Sequence, residues 1–61
     1  MITVESTLNP LEVLVVEDHY RSRGIEHYEL RPGNCCIWAT RGQISEYFIF
    51  KDGLLVDIQV D

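Results

Sequence analysis

The sequence predicts an all-β domain, a small antiparallel meander of about five strands curled into a sheet packed on itself or a small barrel. Three observations predict it. Residues 44–50 and 54–60 are β-rich runs joined at Lys51-Asp52-Gly53, a strong hairpin signal because Gly53 takes positive φ without a Cβ clash. Shorter β-rich runs precede them, separated by turns that contain glycine. Val13, Val15 and Val16 cluster where β-branching disfavours a helix. The competing architecture is α+β, with one helix over residues 10–23 packed on a four-stranded antiparallel sheet.

Taken in order, residues 2–5 alternate and read as a short edge strand, broken at Asn9-Pro10. Residues 10–23 carry conflicting signals. Asn9 can cap a helix, with Pro10 in its first position, Glu12 in its first turn and Gly24 as terminator. Against the helix, the apolar residues scatter around the wheel and form no single stripe. Residues 11–17 also suit a buried strand, and the strand is preferred. Residues 25–30 and 35–40 are the next strands, joined by Arg31-Pro32-Gly33-Asn34, a type II turn signature with Gly33 in the left-handed position.

The apolar pattern also selects a register for the last hairpin. A two-residue loop would set Phe48 opposite Asp57. A three-residue loop pairs Phe50 with Leu54 and Phe48 with Val56, and gathers Ile44, Phe48, Phe50, Leu54, Val56, Ile58 and Val60 on one face. Glu46 is the only misfit on that face. The other face carries Ser45, Tyr47, Ile49, Leu55, Asp57 and Gln59.

Sixty-one residues form a single small domain, 1–61, which gains from a partner because a short chain buries a small fraction of its surface. Two adjacent cysteines, Cys35 and Cys36, do not bridge easily within a strand and fit a reducing compartment. The chain shows no signal-peptide pattern and no apolar run long enough to span a bilayer, so a cytoplasmic location and no membrane partner are expected.

Net charge is −5, ten acidic residues against five basic. Residues 21–43 carry Arg21, Arg23, Arg31 and Arg41 against Glu26 and Glu29, leaving that segment at +2 within an acidic chain. The arginines interleave with Tyr20, Tyr28 and Trp38. Such a set serves as a partner-binding surface, or as a stacking platform for single-stranded nucleic acid. The acidic total weighs against nucleic acid, whose binding depends on neutralising phosphates. The acidic residues Glu5, Glu12, Glu17, Asp18, Glu46, Asp57 and Asp61 could imitate a phosphate backbone, but ordinary solubilising charge is the simpler account.

Cys35, Cys36, His19 and His27 contain the residue types of a zinc site. Adjacent cysteines do not readily turn two thiolates toward one ion, so neither metal nor cofactor is expected. A cysteine–histidine pair oriented by Asn34, Asp18 or Glu29 would be the minimum for nucleophilic catalysis, but so short a sheet has little room for a deep, dry pocket. The expected function is therefore non-enzymatic: a protein-binding accessory factor or inhibitor, with a nucleic-acid-binding barrel as alternative. A homodimer is also expected, through the C-terminal strand and the face that carries Ile49, Leu55, Asp57 and Gln59.

Overall fold

The computed structural model describes residues 1–61. Its elements are β1 (Ile2–Val4), α1 (Pro10–Ser22), β2 (Tyr28–Pro32), β3 (Cys36–Arg41), β4 (Ile44–Lys51) and β5 (Leu54–Val60). The five strands form one sheet in the order β1-β2-β3-β4-β5. From β2 to β5 every neighbouring pair is antiparallel, whereas β1 lies parallel to β2. Parallel neighbours need a crossover, and α1 supplies it. The sheet stays open, with β1 and β5 as its edges, so no barrel forms.

Residues 10–22 are helical, which corrects the strand reading of residues 11–17. The Asn9 side chain accepts from the Leu11 N–H at 2.9 Å, Pro10 takes the first turn, and Glu12 sits beside the positive helix end. At the other end Gly24 adopts φ +71°, its N–H donates to the Arg21 carbonyl, and the Ile25 N–H reaches back to the Tyr20 carbonyl. That is the Schellman pattern, with Ile25 packed against the core behind it. Each cap contributes about 1 kcal/mol, more than a valine in place of alanine costs a helix. Scatter on the wheel has a structural cause: the helix has two apolar faces. Val13, Val16 and Tyr20 point into the sheet, while Leu11, Leu14 and Val15 remain outside.

The core lies between α1 and one face of the sheet. Tyr28 and Leu30 of β2, Ile37 and Ala39 of β3 and Phe48 of β4 meet Val13, Val16 and Tyr20 there. A fully buried side chain of this size contributes roughly 1.5–3 kcal/mol, so this one layer supplies most of the apolar stabilisation.

All three antiparallel connections turn through two residues, since Gly33 bonds Cys36 across Asn34-Cys35 and the pairs Arg41/Ile44 and Lys51/Leu54 close the others. In the first, the left-handed residue is Cys35 at φ +58°, not Gly33, which corrects the type II assignment. Gly33 is needed for room: a Cβ there would meet the Cys36 Sγ at 2.7 Å. In the last, Asp52 and Gly53 both have positive φ, the mirror-type turn whose twist suits a hairpin.

This corrects the three-residue loop and its register. The turn sets Lys51 opposite Leu54 and Phe50 opposite Leu55, and a bulge then shifts β5 by one residue. Beyond it Phe48 faces Ile58, Ile49 faces Asp57 and Glu46 faces Val60. The apolar matching that the sequence demands is thus met by an extra residue in β5 rather than in the loop. Leu55 consequently turns to the helix side, where it packs against the core. Ile49, Asp57 and Gln59 stay on the other side, so the expected dimer patch is divided between faces.

Candidate functional site

Two arrangements of side chains stand out, one within the core layer and one on the uncovered face of the sheet. In the core layer, Glu46 is buried although charged. The Tyr20 hydroxyl donates to its Oε1 at 2.9 Å, and the Arg41 Nε donates to the same oxygen at 3.0 Å. The guanidinium lies 5.9 Å from the Tyr20 ring centroid. A buried carboxylate is tolerated when it is paired and hydrogen-bonded, and both conditions hold here. The residue that did not fit the apolar face therefore has its own partners on α1 and β3. Burial pushes the Tyr20 hydroxyl well above the ordinary tyrosine range, and the bond to Glu46 adds to the effect. His19 stands edge-on to Tyr20 and Phe48, and burial together with Arg23 lowers its pKa. Tyr20 and Tyr28 lie in contact inside the core, 4.6 Å between ring centroids. Tyr20 and Glu46 are buried while Arg41 is partly exposed at the rim, and the cluster joins α1 to β4.

The second arrangement is the sheet face away from α1. Strand alternation places Glu29, Arg31, Cys36, Trp38, Thr40, Tyr47, Ile49, Asp57 and Gln59 there, and the register arranges them in rows. Arg31, Trp38, Tyr47 and Gln59 are successive cross-strand neighbours, and Cys36, Ile49 and Asp57 form the next row. The Trp38 and Tyr47 rings stack at 6.2 Å with planes 21° apart. No element covers them. The Trp38 Nε1–H is enclosed without an acceptor, a state that costs about 1–3 kcal/mol. A groove lined by Thr3, Glu5, Glu29, Arg31, Pro32 and Trp38 borders this row on the β1 side.

The structure does not gather the arginine and aromatic residues singled out in the sequence onto one surface. Tyr20 and Tyr28 are in the core. Arg21 pairs with Asp18 on the exposed side of α1, and Arg23 reaches His19 at the end of the helix. Arg41 turns inward to Glu46, and Arg31 pairs with Glu29. Only Arg31 and Trp38 share the open face, joined there by Tyr47 and Ile49. Tyr47 was missed as a binding residue, although its alternation with Phe48 places it opposite the core. The cysteines lie at the β2–β3 turn, while His19 is on α1 and His27 precedes β2. No three His, Cys, Asp or Glu side chains converge as metal ligands would. Cys36 is half-buried, and burial raises its thiol pKa, with Cys35 adding to the rise. No helix is long and apolar enough to cross a membrane.

Comparison with known proteins adds no relative: no family model, no curated protein and no solved structure matches this chain.

Proposed function

We propose that the protein is a non-enzymatic binding module, an accessory factor or inhibitor that docks a partner protein on the open face of its sheet. The observation that supports this reading is the uncovered row Arg31, Trp38, Tyr47 and Gln59 with its stacked aromatic pair. Stacked aromatics flanked by arginine and short polar groups are the composition of protein-binding hot spots. The Tyr20–Glu46–Arg41 cluster suits a structural role, because the Tyr20 hydroxyl and the Arg41 Nε both donate to one Glu46 oxygen. Nucleic acid is the weaker reading. A single-strand platform needs a cationic track beside its aromatics, and Arg31 is already paired with Glu29.

The test compares three baits against lysate of the native host: wild type, Tyr47→Lys and Leu11→Lys. Tyr47→Lys places charge on the open face, and Leu11→Lys places it on the exposed side of α1. A partner protein held by wild type and Leu11→Lys but lost by Tyr47→Lys is the expected result. Equal capture by both variants, or loss only with Leu11→Lys, refutes docking on the sheet face.

A further inference from the structure

We infer that β5 is a pairing edge for a second copy of this chain, joined antiparallel about a two-fold axis at Ile58 to give a continuous ten-stranded sheet. Of the two edges, β1 spans three residues and β5 seven. β5 carries neither proline nor lysine, two of the usual protections of a free edge. Leu54, Val56 and Val60 on it are 70%, 58% and 67% exposed.

The backbone dictates which residues can pair. The Asp61 N–H donates inward to the Ser45 carbonyl at 2.9 Å. Inward and outward groups alternate along an antiparallel strand, so Asp57 and Gln59 also bond inward to β4. Ile58 and Val60 therefore direct N–H and C=O out of the sheet. The Asp57 carboxylate accepts from the Ile58 N–H at 2.8 Å and from the Gln59 amide at 3.3 Å, and pairing exchanges these for the partner's carbonyl and the partner's Gln59. The bulge interrupts this pattern at Val56, so the regular part of the free edge is residues 57–61. An axis at Ile58 pairs Ile58 with its own copy through two outward hydrogen bonds.

The same axis decides the side chains. It sets Asp57 opposite the partner's Gln59, twice by symmetry, on the open face. An axis at Asp57 would oppose two like charges and use inward-facing backbone groups. An axis at Val56 would fall on the bulge. The pairing at Ile58 satisfies both backbone direction and charge. It also places both helices on one side and merges the two open faces on the other. The row Arg31, Trp38, Tyr47, Gln59 then continues into the partner's Asp57, Ile49 and Cys36.

So short a seam makes a weak dimer, so it is sought by sedimentation equilibrium between about 10 and 500 µM. Mass should rise above 7.1 kDa toward twice that value. Ile58→Pro removes the outward donor at the axis and leaves the bonds to β4 intact. It should remain monomeric with an unchanged far-UV circular dichroism spectrum. Position 59 tests the register without touching the core: Gln59→Lys should tighten the dimer about five-fold by facing Asp57, and Gln59→Glu should loosen it similarly. A wild type that stays at 7.1 kDa throughout refutes the inference, whatever other protein then occupies the edge. So does a dimer that survives Ile58→Pro in a folded chain. If Ile58→Pro unfolds, the opposite responses of Gln59→Lys and Gln59→Glu still decide, and equal responses count against the pairing.

Discussion

Glu46 shows how a single residue can contradict a pattern and still obey the physics behind it. On the apolar face of β4 a carboxylate is out of place, the only misfit in the strand's pattern. Its partners are five residues away on β3 and 26 away on α1, the second brought near only by the helix. The Tyr20 hydroxyl bond is buried and directed at a charge, so Tyr20→Phe should lower stability by about 1.5–3 kcal/mol at neutral pH. The alkaline limb supplies a second readout. Tyr20 holds its proton more tightly folded than unfolded, so the unfolded state loses a proton first once pH passes the ordinary tyrosine value of 10. Stability then falls as pH rises beyond that point. Denaturant titrations at pH 8 to 11 should show a shallower decline for Tyr20→Phe, with the share due to Tyr28, which is also raised by burial, remaining.

At the scale of elements, the strands were legible and the helix was not. Alternation identified β2 to β5 to within a few residues, because a sheet covered on one face leaves a period of two. It failed at α1 because that helix exposes Leu11 and Leu14, 72% and 58% accessible, and so lacks the single stripe that marks a helix from its composition. The caps were the better guide. Asn9, Pro10 and Gly24 together specify a beginning and an end, and they do so through backbone hydrogen bonds that no hydropathy pattern reports. Asn9→Ala should therefore destabilise the protein by about 1 kcal/mol, read as a lower thermal midpoint with loss of helical ellipticity. The bulge in β5 was equally hidden. Faces can be matched by lengthening a loop or by adding a residue to a strand, and the sequence alone does not separate the two.

For the whole molecule, the charge distribution matters more than its sum. The segment 21–43 is locally positive in the sequence, but the fold scatters its arginines over the outer helix surface, the helix end, the core layer and the open face. Each finds a partner: Asp18, His19, Glu29 or Glu46. The candidate site was legible only in Trp38 and Arg31; Tyr47 joins them through strand register, which is a tertiary fact. Mixed-sequence single- and double-stranded oligonucleotides at about 20 mM salt should leave fluorescence anisotropy unchanged, the condition most favourable to phosphate contacts. Binding with a steep salt dependence would instead support the nucleic-acid reading.

The parallel placement of β1 has a consequence for the order in which the molecule is assembled. Every antiparallel pair closes across a two-residue turn, so β2 to β5 can zip from neighbour to neighbour at small entropic cost. β1 must wait for β2, since Ile2 pairs with Tyr28 across the whole of α1, a much longer closure. The strand made first during synthesis is thus the last whose place is ready. Until then the ribosome carries a segment with Ile2, Val4 and the apolar sides of α1 unmatched, and the speed at which the C-terminal hairpins emerge sets how long that exposure lasts.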